Sequence, residues 1–429
     1  MRGLTTSRAL LLAVALLVAV SPALAGCGQG LPWAGPKPVT LRYAWRGATP
    51  ETRALLDEFQ QAHPHITVEL LDAETDSGTV AQGVAAGEVD LLRAGTETLG
   101  MAELLLPLDD IHLDEWTGIR EDYVGGLWRA LSADGQQYGI PAGLDIVVLY
   151  VNGDARQAVG ASLPPAGQPW DQYAFLDLAT ALNHPEGLPG DPAQPTFGFC
   201  SRYQDLDPFV FLYADGGALV DDLAAPQRPM LDSPATIAAL TFYTDLFTRY
   251  GVAPGPDFLG RNLGSASYDV ALAGGNCGLW TGLFSQRGRV GEYALPFAWE
   301  MVPLPGSQPD LGIALVEGYF IPKGSANPAE ALLLARFLSD QGQAAGRLLP
   351  PRRTLLADAR YAGTLGEQMA KQVQALSDDM TYISLSLSPG VMDVAVAVLQ
   401  AVDAVITQDA QLEPLLLEAQ QRLQHTFEP

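Results

Sequence analysis

The chain has little positive charge. Of its 429 residues, 24 are Lys or Arg and 49 are Asp or Glu, which gives a formal net charge of −25. Nucleic-acid binding needs a basic surface that neutralises phosphates, so this balance argues against a nucleic-acid partner. The acidity favours solubility but selects no particular ligand.

Cysteine and histidine are also scarce. The three cysteines and five histidines have no spacing typical of a metal site, and Pro64 separates His63 from His65 at a predicted helix end. We therefore expect no metal and no cofactor. The sequence also lacks the G-x-S-x-G, H-E-x-x-H, C-x-x-C and G-x-x-x-x-G-K motifs, which argues against an enzyme.

A long apolar run occurs only at the start of the chain. The segment "ALLLAVALLVAV" (residues 9–20) is shorter than the roughly 20 apolar residues of a membrane span. Arg2 and Arg8 precede it, and small residues follow it, as in a secretory signal peptide. We interpret residues 1–26 as a signal and expect an exported protein.

The end of this leader contains a cysteine in a distinctive setting. Leu24-Ala25-Gly26-Cys27 resembles the lipobox of bacterial lipoproteins, in which the cysteine receives a diacylglycerol and becomes the first mature residue. The alternative is an ordinary signal peptide with a chance cysteine. Residues 27–38, rich in Gly and Pro, would then be a flexible tether to the outer face of the cytoplasmic membrane.

The remaining chain of about 400 residues is long enough for two domains. "VTLRYAW", a helical segment ended by Pro64, and "ITVELL" predict a β-α-β opening. A later stretch, residues 134–152, predicts a Gly turn and a long strand. Asp171 and Ser233 precede two further helical patterns, and residues 391–406 predict a helix packed within protein. The alternation favours an α/β sheet.

An ordered set of segments resembles the solute-binding proteins of ATP-binding-cassette sugar importers, the maltose-binding-protein-like superfamily. The segments are "FQQAHPHITVEL", "GEVDLL", "LLLPLDD", "GQQYGIP" with "LYVN", "QPWDQYAFLDLATAL", "YADGGALV", "ALTFYTDLF", "GGNCGLW" and "GYFIPKGSANPAEALLLARFLSD". They keep the family's order and spacing from about Val39 to Gln424. Each segment is weakly specific alone, and the ordered set is strongly specific.

The resemblance implies a two-lobed, periplasmic-binding-protein-like α/β fold with a hinge and an interlobe ligand cleft. The first lobe would comprise residues 38–148 plus 302–352, and the second 149–301 plus 353–429. The family's function would be to enclose a solute, here a carbohydrate such as a short oligosaccharide or glycoside, and to deliver it to a membrane permease. We expect a monomer.

The resemblance also implies ligand residues. Asp145, seven residues before Asn152, has the spacing at which maltose-binding relatives offer a carboxylate to sugar hydroxyls. Glu97, Glu317 and Arg352 fall on segments that face the family's cleft, whereas Asp90 matches a structural aspartate. Sugars also need aromatic rings for their C–H faces, and tryptophan and tyrosine at segment ends supply them. Trp280 is the stacking candidate, and Trp45 and Tyr319 are candidate walls.

Several rival functions stay open on the sequence alone. The acidity would suit a receptor for a polyamine or another cation. A ferric-ion receptor would need a Tyr-Tyr pair, which the sequence lacks. An exported glycoside-acting enzyme could use any two of the acidic residues, and a structural lipoprotein is a further class.

Two cysteines remain once Cys27 is assigned to lipid. Cys200 and Cys277 both lie in short strand-like runs, and an exported compartment permits either a disulfide or two buried thiols. In the related family the corresponding strands run side by side. The resemblance therefore implies a disulfide within the second lobe.

The lipobox leads to a first prediction. Cys27→Ser should release an otherwise folded protein from the membrane, because the lipid and tether lie outside both expected lobes and the acyl chains provide the anchor. Membrane fractionation followed by immunoblotting measures this. Unchanged membrane association of the variant would show that Cys27 is not the anchor.

Overall fold

The computed structural model describes residues 36–45, 47–72, 77–108, 117–163, 170–223, 225–256, 268–308, 311–365, 381–384 and 389–427. The apolar leader, Cys27 and most of the expected tether lie outside these residues.

Strands and helices alternate along the chain. The strands are β1 Val39–Trp45, β2 Ile66–Asp72, β3 Leu91–Gly95, β4 Ser132–Ala133, β5 Gln136–Gln137, β6 Gly139–Asn152, β7 Phe197–Cys200, β8 Cys277–Leu283, β9 Arg289–Val290, β10 Tyr293–Ala294, β11 Trp299–Val302, β12 Leu311–Phe320 and β13 Thr381–Ser384. The α-helices are Pro50–Ala62, Ser77–Ala85, Thr117–Arg120, Leu127–Ala130, Gly153–Val159, Gln172–Ala181, Asp207–Ala214, Pro234–Thr248, Tyr268–Ala273, Pro328–Ser339, Arg353–Leu356, Ala359–Leu365, Pro389–Gln408 and Leu412–Leu423. Short 3-10 helices cover Thr96–Leu104, Phe284–Gln286 and Gly342–Ala345.

The predicted β-α-β opening is confirmed. Thr49 caps the first helix by accepting from the Thr52 backbone N–H at 3.3 Å, and Leu55, Leu56 and Phe59 bury one face of that helix. Caps also start two later helices: the Asp171 carboxylate accepts from the Ala174 N–H at 2.9 Å, and Ser233 Oγ accepts from the Thr236 N–H at 3.1 Å.

The third strand begins at Leu91, directly after Asp90. Asp90 holds the preceding turn, because its carboxylate accepts from the Arg42 backbone N–H and side chain, both at 3.0 Å, and from Ser325 Oγ at 3.0 Å. Asp90 therefore acts within the fold, in agreement with the structural role that the family resemblance implied.

The main sheet runs in the order β2-β1-β3-β12-β6-β8-β7, with β11 also paired to β6 and β13 to β12. Two long strands, β6 and β12, extend through both ends of this sheet. The first half of β6 pairs with β12, up to Ile146, and the second half, from Val147, pairs with β8. β12 pairs with β13 up to Ala314 and with β3 from Glu317 onward.

The two changes of partner occur side by side. Ile146 is paired directly with Ala314, so both strands pass from one set of neighbours to the other at the same level of the sheet. The long strand predicted for residues 134–152 is therefore present, from Gly139 to Asn152, and it links the two ends of the sheet.

Alternate residues of β6 enter different cores. Val147, Leu149 and Val151 pack with helices 172–181, 207–214, 234–248 and 389–408. Ile146 and Tyr150 pack in a second cluster that contains Leu92, Phe320 and Trp280. The period-2 alternation of a strand thus buries β6 on both sides.

Helix Pro389–Gln408 is the predicted apolar helix. Among the described helices it alone has the length and composition of a membrane span, in Gly390–Gln408, and 44% of that window is buried. Val391, Val394, Val398 and Val402 pack into the core shared with β6, which explains the apolar sequence by packing within the fold.

Cys200 and Cys277 form a disulfide in the structure. Cys200 ends β7 and Cys277 begins β8, and these strands are parallel neighbours. Tyr268 Oη donates to the Cys200 carbonyl at 3.0 Å, so the bridge also supports helix Tyr268–Ala273.

Removing this bridge should lower stability. The bond closes a loop with a sequence separation of 77 residues, and the chain-entropy model assigns such a loop about 4 kcal/mol. The variant Cys200→Ala/Cys277→Ala should lose about that much free energy of unfolding in a urea titration. Two alkylatable thiols in the denatured, unreduced wild type would contradict the pairing.

Candidate ligand-binding site

Asp145 lies where the two long strands change partners. It is paired with Leu315, next to the Ile146–Ala314 pair, and only 6% of it is exposed. Its Oδ1 accepts from the Ser285 backbone N–H at 2.8 Å. Burial raises the pKa of the Asp145 carboxyl to about 6, against the lowering effect of the Ser285 hydrogen bonds and with a smaller raising effect of the Glu317 charge.

Three of the predicted carboxylates lie in a row on this face of the sheet. Glu317 is paired with Gly143 on one side and Gly95 on the other, which makes it a diagonal neighbour of Asp145. A Cβ atom on Gly95 would collide with the Glu97 carboxylate, so Glu97 folds over Gly95 beside Glu317. Asp145, Glu317 and Glu97, which we call the carboxylate row, thus come from three adjacent segments.

Leu315 belongs to the same surface. It is 38% exposed although it lies within a central strand, and it is flanked by Asp145 on β6 and Glu317 two residues along β12. An exposed leucine next to hydrogen-bond acceptors offers a ligand an apolar contact beside polar ones.

Trp45 and Tyr319 are packed rather than open. The guanidinium of Arg93 lies 4.0 Å from the centre of the Trp45 ring and 5.8 Å from that of Tyr319. Trp45 is 5% exposed and Tyr319 is buried. Their role as ligand walls stays a prediction, because both rings pack against Arg93 and against the ring of Tyr43.

Arg352 is held by two ion pairs. Its Nε donates to the Asp122 carboxylate at 2.7 Å and its Nη1 donates to Asp340. The hydrogen bond to Asp122 and the nearby charges keep the pKa of Arg352 raised despite partial burial. The structure thus gives this guanidinium partners outside the carboxylate row.

A cavity of about 140 Å³ opens beside the place where β6 and β12 change partners, which we call the crossing. Val147 and Leu283, which pair with each other two residues beyond Asp145, form part of its lining. Its polar and aromatic lining is Tyr150, Arg202, Asp205, Asp207, Tyr268, Trp280, Thr281, Gln286 and Arg289. We call this the β8 pocket.

Trp280 reaches the β8 pocket from the core. It is 3% exposed, and one ring face stacks on Tyr150 with centroids 5.4 Å apart and planes inclined by 10°. Phe297 packs edge-on against it. Only part of the indole is therefore left to a ligand.

The polar side chains of the pocket differ in how many hydrogen bonds and ion pairs they already form within the protein. Asp207 accepts from Ser201 Oγ at 2.7 Å, from the Arg202 N–H at 2.8 Å and from Thr281 Oγ1, and burial raises its pKa. Arg202 pairs with Asp269. Gln286, in contrast, has no hydrogen-bond partner for its side chain within the described part of the chain, which leaves its amide available to a ligand.

Sequence reasoning missed the residues that give this site its chemistry. Arg202, Tyr268 and Gln286 lie on loops or short elements whose patterns do not distinguish them from solvated residues. Arg93 did have a signal, since it is a lone charge in the buried strand "LLRAG". No group of three or more His, Cys, Asp or Glu suited to a metal ion occurs among the described residues.

The raised pKa of Asp145 predicts a pH-dependent stability difference. Between its ordinary value of 3.8 and about 6, the folded state keeps the proton and the unfolded state loses it. The free energy of unfolding therefore falls as pH rises through this window, by up to about 3 kcal/mol. Asp145→Asn should lack this decline. Urea titrations of both proteins at pH 4 and 7 measure it, and parallel pH profiles would contradict it.

Comparison with known proteins supports the same architecture. A model of the bacterial extracellular solute-binding protein family matches residues 47–345, which is more than half of the chain.

Solved structures with the same fold include the following three. The sugar-binding protein MalE from Xanthomonas citri has 18% identity and a TM-score of 0.71, covering 90% of this chain and 97% of its own. An ABC substrate-binding protein from Listeria monocytogenes in complex with cycloalternan has 16% identity and a TM-score of 0.69, covering 90% and 98%. UgpB from Mycobacterium tuberculosis, in complex with glycerophosphocholine, has 20% identity and a TM-score of 0.67, covering 92% and 99%.

Sequence identities this low show the shared fold alone. The structural matches confirm the predicted α/β fold of two-lobed binding proteins. Together with the family match over residues 47–345, they lead to one conclusion. The chain belongs to the bacterial extracellular solute-binding protein family.

Proposed function

We propose that this protein is an extracytoplasmic receptor that binds a carbohydrate, a short oligosaccharide or glycoside, between two lobes. It then delivers that carbohydrate to the permease of an ATP-binding-cassette importer. The observation that carries the proposal is the β8 pocket, which combines aromatic surface with an unengaged amide beside the carboxylate row. In this proposal the protein binds the carbohydrate and does not catalyse a reaction.

The chemistry of the site suits a sugar. Carboxylates and the Gln286 amide bind hydroxyl groups, while Leu315 and the open part of Trp280 contact C–H faces. Whole-ligand pockets usually measure about 300–1,000 Å³. A cavity of about 140 Å³ therefore suits one ring of the ligand, and the rest would extend along the carboxylate row.

Closure follows from contacts on both lobes. We assign residues 38–148 plus 302–352 to one lobe and 149–301 plus 353–429 to the other, and the strand crossing at Ile146 and Ala314 lies near these boundaries. The carboxylate row belongs to the first lobe and most of the β8 pocket to the second. A ligand that touches both shifts the equilibrium towards a closed form by its differential affinity.

The remaining parts of the proposal concern location. The leader would export the chain, and lipid on Cys27 would hold it at the outer face of the cytoplasmic membrane. Residues 27–38 would give the monomeric receptor room to reach its permease.

A second candidate is a receptor for a polyamine or a similar cation. The carboxylate row favours it, because Arg93 is the basic side chain that pairs with this row in the described part of the chain, through Glu317. The sugar is preferred because the adjoining pocket does not extend this acidic surface: Arg202 and Arg289 balance Asp205 and Asp207 in its lining.

Ligand screening tests the proposal. The mature protein should gain thermal stability with a carbohydrate, since a ligand that binds only the folded state raises the melting temperature. Calorimetry should then show that Gln286→Ala weakens binding roughly 2- to 10-fold, the value of one neutral hydrogen bond. Gln286 suits this test better than Trp280, whose truncation would also leave a void against Tyr150.

Gln157→Ala is the matched control, because Gln157 is an exposed glutamine on helix Gly153–Val159, outside the pocket lining. Its affinity should equal that of wild type. Stabilisation by spermidine or putrescine and by no carbohydrate would select the second candidate, and turnover of a glycoside in the same mixtures would select an enzyme.

A further inference from the structure

Arg93 is a charged side chain enclosed in the first lobe. It lies in β3 between Leu92 and Ala94, and its side chain has no exposed surface. A buried charge is unfavourable unless it is paired and hydrogen-bonded. The buried guanidinium of Arg93 therefore needs a hydrogen-bonded, oppositely charged partner.

The guanidinium is oriented by three sets of contacts. One face lies over the Trp45 ring at 4.0 Å. Nη1 donates to the Ala344 carbonyl, and Nη2 donates to the Ala345 carbonyl at 3.3 Å. Nε donates to Glu317 Oε2 at 2.7 Å.

Glu317 needs such a partner to hold one orientation. Both of its cross-strand neighbours, Gly95 and Gly143, lack side chains that could pack against it. A β-bulge between Glu317 and Gly318 breaks the register here, a feature that re-aims side chains near functional sites. The Asp145 carboxylate interacts unfavourably with its charge.

We propose that Arg93 is a positioning residue for ligand binding: it fixes Glu317 so that one carboxylate oxygen accepts from a ligand hydroxyl. Nε engages Oε2, whereas Oε1 has no donor in the described part of the chain, and the Glu317 side chain is 31% exposed. The inference rests on the proposed carbohydrate function and adds a residue that cannot itself touch the ligand.

A purely structural role is the alternative, because Arg93 also ties β3 to Ala344 and Ala345. A double-mutant cycle in ligand affinity separates the two roles. If Arg93 acts through Glu317, its removal matters only while the Glu317 carboxylate is present. If it only supports the fold, its removal affects binding equally in both backgrounds.

The experiment uses the mature wild type, Arg93→Met, Glu317→Gln and the double variant, titrated calorimetrically with the carbohydrate that best stabilises the wild type. Each single variant should weaken binding roughly 10- to 100-fold, the range for a hydrogen bond to a charged group. The double variant should bind like Glu317→Gln alone. Arg93→Lys, which keeps the charge, should recover part of the affinity, and it replaces the Met variant if that protein does not fold.

Arg156→Met is the matched control. Arg156 also pairs through Nε with a glutamate, Glu300, at 2.7 Å and donates to a backbone carbonyl, that of Ala161. It should leave the affinity unchanged.

Multiplying effects of Arg93→Met and Glu317→Gln would overturn the positioning role, as would wild-type affinity in either single variant. A wild type that binds no carbohydrate would instead overturn the proposed function and this inference with it.

Discussion

The crossing, where β6 and β12 change partners side by side, organises both the sheet and the candidate site. Each strand changes neighbours at the Ile146–Ala314 pair, so two uninterrupted strands join the two ends of the sheet. Because side chains alternate along a strand, the pairing of these strands also decides which residues face the crossing. Asp145, Leu315 and Glu317 face it together for that reason.

Burial at the crossing then determines the electrostatics of the site. Asp145 has a backbone N–H as its main partner and a raised pKa, whereas Glu317 has a buried arginine. The two carboxylates therefore differ in environment although they are diagonal neighbours. The β8 pocket adds aromatic surface that the Cys200–Cys277 bond and the Tyr268 hydroxyl hold against β8.

Much of the fold could be predicted from the sequence, because local signals and tertiary packing agree there. The capped helices at Asp171 and Ser233 and the long strand ending at Asn152 are examples. The site was less accessible, since its chemistry depends on contacts distant in sequence. Sequence pattern placed Trp45 and Trp280 at segment ends, but only packing shows that Arg93 covers the first and Tyr150 the second. Gln286 is a candidate ligand residue only because it lines the cavity, which the sequence does not reveal.

The proposed function requires that a carbohydrate bound at this crossing draws the two lobes together. Small-angle X-ray scattering of the mature protein, with and without its best-binding carbohydrate, tests this most directly. We expect a smaller radius of gyration in the presence of the sugar, with a change that saturates at the calorimetric stoichiometry. A radius of gyration that stays constant while the sugar binds would contradict it.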